Sequence, residues 1–219
     1  MVMRVLSYPM VILFLILTAF QVPHVVSDAY AVWKMYTPLL GGMIGYFILS
    51  LLPFISKNKE HMMTFSHEMT HWVISLLFFH KLHSFQVGEE TGSITHSGGR
   101  VGDLMIGLSP YCFPLFTIIF LFLRFMIIPD YLWGYDIFLG LTLGFHIACF
   151  ANQTGLHQSD IRNRGVFKSA LFIIAFWLFF TILILMGVRT NMFSAVKTIF
   201  IGYKESLIDF YDMVKGLFN

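Results

Sequence analysis

Apolar residues in this chain run in long blocks instead of alternating with polar ones. The blocks cover about Tyr8 to Val26, Tyr36 to Ile55, Met62 to Phe79, Asp103 to Ile128 and Trp133 to Ala151, with a sixth ending near Met186. An apolar run of about 18 or more residues is long enough to cross roughly 30 Å of hydrocarbon as a helix. The pattern therefore predicts an all-α polytopic protein, integral to the membrane and multi-pass, with about six transmembrane helices. Lys57, Lys59 and Glu60 mark a return to water between the second and third blocks. The first block follows Arg4 and contains Pro9, Gln21 and Pro23. It is long for the apolar region of a signal peptide, and no A-x-A-like site follows a short apolar core, so it reads as a span.

The interruptions are informative too. Between the third and fourth blocks, short β-prone runs flank the polar turn Gly88-Glu89-Glu90-Thr91-Gly92, which predicts a membrane-associated β-hairpin over 83–97. Pro110 and Pro114 interrupt the fourth block. Prolines inside a membrane helix free backbone groups that neighbours must satisfy, so this element is predicted to be kinked and internally packed. In the fifth block Gly140 and Gly144 stand at GxxxG spacing, which lets another helix approach closely. Near the end, Val196, Ile199, Phe200, Tyr203, Leu207, Phe210, Val214 and Leu217 recur three or four apart, with Lys197, Lys204, Glu205, Asp209 and Lys215 between them. That spacing predicts an amphipathic C-terminal helix over 191–219, lying on the membrane or against the bundle. The chain thus divides into two N-terminal spans (1–60), a core of four spans carrying the hairpin (61–187) and the amphipathic tail (191–219).

Composition narrows the reading. Charged residues make up 12% of the chain against 57% hydrophobic, about half the charge of an average soluble domain, and at roughly 20 residues per span plus connections the spans are expected to leave no room for a separate soluble domain. A net charge of +2 with scattered basic residues excludes nucleic-acid binding as the main task. The expected partners are the lipid bilayer and proteins embedded in it. Cys112 and Cys149 lie inside apolar blocks and read as small hydrophobes, not as a disulfide framework.

The strongest chemical signal is His67-Glu68-Met69-Thr70-His71, an H-E-x-x-H sequence inside the third block. With nine His and five Glu in the chain, chance produces such a match in about one chain of this kind in a hundred. On a helix, positions four apart differ by about 40°, so both imidazoles face one point and can share a tetrahedral Zn²⁺. Glu68 lies beside that face, within reach of a proton on a water held there. Thr64, Glu68, His71 and Ser75 form a polar stripe with His67 at its edge. Ionisable groups at membrane depth are costly and belong in the bundle interior or a wet cavity, which makes this stripe a functional site by default. The bland alternative is a pair of packing histidines.

A catalytic zinc usually takes three protein ligands and leaves a fourth position open. Asp103, Asp136, His146 and Asp160 are the candidates for the third. Asp160, in Gln158-Ser159-Asp160-Ile161, opens the sixth block, where it can be a helix N-cap, a ligand or both. Weaker features are Asn152 and Gln153, which either contact a substrate backbone or simply end a helix; His146, read as a packed core histidine; His80, His83 and His96, read as solvated loop residues; and Arg124, expected to snorkel towards headgroups.

The His67-Glu68-x-x-His71 span, the downstream Gly98-Gly99-Arg100, the Pro-containing fourth block and the Gly144-Phe145-His146 stretch leading into Gln158-Ser159-Asp160 resemble the M50 metallopeptidases. Within them the chain is most similar to the M50B-like branch, relatives of the site-2 intramembrane proteases. The resemblance covers roughly residues 60–187. It implies an intramembrane metalloendopeptidase that cuts membrane-protein substrates, with zinc held by His67, His71 and Asp160 and with Glu68 as base. The family's Asn-Pro-x-Asp-Gly pattern is absent around Asp160, which Ile161 follows, and Asp103 stays beside it as a candidate ligand. The alternative class is a non-proteolytic metal-binding membrane protein, either a transporter or an M50-like scaffold. A haem protein fits less well, because two His on one helix face cannot serve as opposite axial ligands.

Overall fold

The computed structural model describes residues 2–88, 92–98, 102–155 and 158–217. In it the apolar blocks are helices. Helix α1 (Val2–Ala31) runs on through Pro9 and Pro23, and a 3-10 turn (Trp33–Tyr36) leads into α2 (Thr37–Leu49). The chain then bends by 104°. Leu52 is extended, with ψ of 137°, as the ring of the following proline demands, and α3 (Pro53–Leu77) starts with Pro53 in its first turn. Lys57, Lys59 and Glu60, which mark the return to water, do so from inside α3 and not from a connection between separate helices. Pro53 stops the helix before them, while Lys and Glu are good helix formers once it has restarted.

Pro110 and Pro114 break the fourth block as expected. It divides into α4 (Asp103–Leu108), a 3-10 turn (Ser109–Tyr111) and α5 (Leu115–Leu123), bent by 89°. Groups freed at the break are taken up locally: the amides of Cys112 and Phe113 both donate to the Ser109 carbonyl, at 3.0 and 2.7 Å. The remaining helices are α6 (Leu132–Gln153), α7 (Ser159–Arg164), α8 (Val166–Arg189) and α9 (Met192–Leu217). Among the described residues, three helical segments are long and apolar enough to cross a membrane: Tyr8–Ala31, Pro129–Gln153 and Val166–Arg189. The number rises to five if each of two bent pairs is one span. The second and third apolar blocks form one such pair, so the expected six spans become three to five.

The expected hairpin is present as β1 (Lys81–Val87) and β2 (Gly92–Ser97), antiparallel, with Phe85 opposite Ile94 and an irregularity between Leu82 and Ser84. Its turn residues Glu89, Glu90 and Thr91 lie outside the described residues, as do Gly99 and Arg100 of the Gly98-Gly99-Arg100 motif. The turn from α3 into β1 is a Schellman arrangement. The His80 amide donates to the Ser75 carbonyl and the Phe79 amide to that of Leu76, with Phe79 in the left-handed region at φ 58°. This sharp reversal folds the hairpin back along α3, where Phe85 meets Phe65 and Trp72.

Helices α2 and α6 pack on glycine, as the GxxxG spacing implied. A Cβ at Gly140 would strike the Leu39 carbonyl, and one at Gly42 the Ile137 carbonyl, so each helix supplies a groove for the other's backbone. The tail lies against the bundle: Tyr203 and Thr18 hydroxyls are 3.0 Å apart, and Gln21 donates to the Ile199 carbonyl at 3.3 Å. Arg124 departs from expectation. It is buried, and its Nε and Nη2 donate to Asp136 Oδ1 and Oδ2 at 2.7 and 3.0 Å. A carboxylate on the neighbouring helix offers the guanidinium a two-pronged partner without reaching for headgroups. Apolar side chains such as Leu51, Phe54 and Phe167 stand on the outer surface.

Because the atoms facing Gly140 are backbone and cannot swing away, Gly140→Val is expected to destabilise the folded chain by about 1–3 kcal/mol. A lowered unfolding midpoint in detergent, with Gly134→Val as the control at a glycine with open space around it, measures this.

Candidate metal centre

The ligand candidates come from two elements that one core cluster holds together. Helix α3 carries His67 and His71 one turn apart, and α7 carries Asp160 in its first turn. Ile161 anchors α7, being buried with Leu108, Tyr111, Phe172 and Ile173. The Ser169 hydroxyl donates to the Ile161 carbonyl at 3.2 Å, and Gly165, at φ 91°, turns the chain from α7 into α8. The N-cap of α7 is Gln158, so Asp160 is not the cap. Its side chain is left for other work.

That work is visible in the geometry. His67 Nε2 and His71 Nε2 are 3.2 Å apart, and Asp160 Oδ2 stands 3.5 Å from His71 Nε2 and 3.9 Å from His67 Nε2. Around a tetrahedral ion with bonds of about 2.0–2.1 Å, neighbouring ligand atoms are about 3.4 Å apart. The three atoms therefore match one face of such a site. His71 Nδ1 donates to the Ile106 carbonyl at 2.7 Å, which fixes the tautomer and turns the Nε2 lone pair towards the other two ligands. His67 is held by an edge-on contact with the Tyr111 ring, 5.3 Å between centroids. Among the described residues this is the group of three that can hold a metal ion. Two imidazoles and a carboxylate suit a first-row divalent cation.

The two oxygens of Asp160 have different surroundings. Oδ2 faces the histidines and accepts from the Tyr111 hydroxyl at 3.4 Å, while Oδ1 accepts from Arg164 Nη1 at 3.4 Å. Burial pushes the Asp160 carboxyl up, but His67, His71 and the Arg164 charge outweigh it and hold the group well below the usual carboxylate range. It is therefore ionised, as a ligand must be.

Glu68 is buried, at 8% exposure, and follows His67 directly on α3. Its carboxylate lies against Gly92 at the start of β2, where a Cβ would collide with it. The missing side chain lets the hairpin settle onto the polar stripe of α3, and the His61 ring adds a contact from Nδ1 to the Gly88 carbonyl at 3.1 Å.

The other candidates are elsewhere. Asp103 is exposed and accepts from Arg164 Nη2 at 3.1 Å, and Asp136 is committed to Arg124. His146 is the packed core histidine expected of it, stacked near Trp177. Asn152 donates to the Ala148 carbonyl of its own helix at 2.7 Å. With Gln153, Lys59, Glu60, Met63 and Thr64 it lines a cavity of about 310 Å³. The loop histidines are not simply solvated. His80 is buried with its Nδ1 2.9 Å from that of His96, and His83 meets the Ser97 hydroxyl at 2.7 Å. The hairpin brings together residues that are sixteen positions apart, a pairing that residue spacing alone cannot reveal.

Sequence reasoning missed Tyr111 and Arg164. Arg164 carried a usable signal, since it lies one helical turn after Asp160. Tyr111 had none beyond its place between two prolines. Comparison of the chain with protein-family models, with curated proteins and with solved structures finds no match in any of the three.

Competition against a chelator, using the full chain in detergent, is expected to show one tightly held divalent cation. His71→Ala and Asp160→Asn should each weaken binding by more than about 100-fold, and Asp103→Asn should leave it within a few-fold.

Proposed function

We propose that the chain is a zinc-dependent intramembrane endopeptidase, a multi-pass membrane protein that hydrolyses peptide bonds of membrane-embedded protein substrates. The observation that carries this reading is the convergence of His67, His71 and Asp160 into one ligand set, with buried Glu68 next in sequence to the first of them. The resemblance to the M50B-like metallopeptidases points to the same four residues.

In this reading His67, His71 and Asp160 hold the zinc, which when bound supplies a Lewis acid that polarises a peptide carbonyl and lowers the pKa of water. Glu68 takes a proton from the attacking water as its oxygen bonds to the carbonyl carbon, then delivers that proton to the nitrogen as the C–N bond breaks. Burial of Glu68 under the hairpin suits a base that must accept and return one proton without losing it to bulk solvent. Water is assigned a polar route through the cavity lined by Lys59, Glu60, Thr64, Asn152 and Gln153, in which Thr64 stands one helical turn before Glu68. Asn152 and Gln153 on that cavity are assigned contact with the backbone of an unwound substrate.

A transporter would carry further ligand groups along a path, whereas among the described residues the three-ligand group is a single one. A scaffold that binds a membrane partner without cutting it has no use for Glu68 between the two ligands.

Glu68→Gln tests the reading. The variant should bind metal as the wild type does while its rate of cleaving membrane-protein substrates in proteoliposomes falls by at least about 10³-fold, the scale of a lost general base. Undiminished proteolysis in this variant would overturn the mechanism.

A further inference from the structure

Arg164 does more than neutralise a neighbouring charge. From α7 its Nη1 reaches both the backbone carbonyl of Asp160, at 3.2 Å, and the Asp160 Oδ1, at 3.4 Å. From the other side its Nε donates to the Asp103 carbonyl and its Nη2 to Asp103 Oδ1, each at 3.1 Å. One side chain thus ties the short helix α7 to the start of α4. The guanidinium can lie there only because residue 107 is glycine, since a Cβ at Gly107 would collide with its carbon and nitrogens. The same segment that gives up this Cβ supplies the neighbouring Ile106 carbonyl, which orients His71. The arginine and its notch are therefore built into the backbone that sets one of the histidine ligands.

The distribution of contacts over the carboxylate is the decisive point. Asp160 has two equivalent oxygens and a torsion that can exchange them, and α7 is only six residues long. A carboxylate on so short an element has little of its own to define its orientation. Arg164 Nη1 occupies Oδ1 while Tyr111 and the two histidines face Oδ2, and the planar guanidinium, whose other nitrogens are held by Asp103, presents Nη1 from one fixed side and so favours one orientation of the carboxylate. A lysine offers a point charge and no fork.

We infer that Arg164, seated in the notch left by Gly107, is a positioning residue for the metal centre, holding Asp160 with Oδ2 turned to His67 and His71. The inference rests on the reading of those three residues as a metal site. Arg164 touches neither the metal ligand atoms of the histidines nor a substrate; it acts through Asp160.

The test is metal affinity, measured by chelator competition with Zn²⁺ and by the visible spectrum with Co²⁺, on the monodisperse full chain in detergent. Arg164→Ala should weaken binding by about 10- to 100-fold, the usual effect of losing a partner that orients a ligand, and should alter the Co²⁺ band. Arg164→Lys should recover little of the loss, and millimolar methylguanidinium should recover much of it in Arg164→Ala. Gly107→Ala, which leaves the arginine in the chain but fills its seat, should reproduce the loss. Added to Arg164→Ala it should cost nothing further and should abolish the rescue by methylguanidinium. Wild-type affinity in Arg164→Ala, or an equal loss from Gly107→Ala with and without the arginine, overturns the inference. Retention of metal by His71→Ala overturns instead the metal site on which it rests.

Discussion

Taking an ionisable group out of water costs several kcal/mol unless a partner is brought to it, and in a chain this poor in charge that condition shapes the structure. The buried or partly buried charges and imidazoles of the core are met by groups from other elements, with Arg164, on the same short helix as Asp160, the exception. Arg124 at the end of α5 is met by Asp136 on α6, His71 on α3 by the Ile106 carbonyl of α4, and His80 by His96 across the hairpin. Asp160 is met by Arg164, Tyr111 and the two histidines of α3. The polar groups act as fasteners between helices whose apolar faces, in lipid, would give little preference for one neighbour over another.

The candidate metal centre is the most demanding case. Two imidazoles and a carboxylate converge within a few ångströms. The fold holds the groups from behind: a carbonyl on His71, an aromatic edge on His67 and a guanidinium on Asp160. Breaks in regular structure make these supports possible. The 89° bend at Pro110 and Pro114 turns the segment carrying Ile106, Gly107 and Tyr111 into the site, and the reversal at Phe79 lays the hairpin over Glu68. A continuous helix in either place would have carried these groups past the candidate site.

Glycine serves the same end at two levels. At Gly42, Gly140 and Gly144 it lets α2 and α6 come together backbone to backbone, which fixes the scaffold. At Gly92 and Gly107 it clears room for a carboxylate and a guanidinium that belong to the site. The first use was readable from the four-residue spacing of Gly140 and Gly144. The second was not, since nothing near residue 92 or 107 in the chain names the side chain that would fill the space.

The sequence by itself determined the helical class, the proline break, the hairpin, the amphipathic tail and the two-histidine face with its glutamate, because each depends on the period or chemistry of neighbouring residues. It could not choose among Asp103, Asp136 and Asp160, assign Arg124 or Arg164 a partner, or foresee that α2 and α3 bend about Pro53 into one pair. Those outcomes depend on which elements meet. Asp160 became the third member of the cluster because Ile161, one residue on, is buried with Leu108 and Tyr111, and Asp136 was withdrawn because Arg124 reached it first. Local periodicity decides what a helix can present; only packing decides what stands opposite.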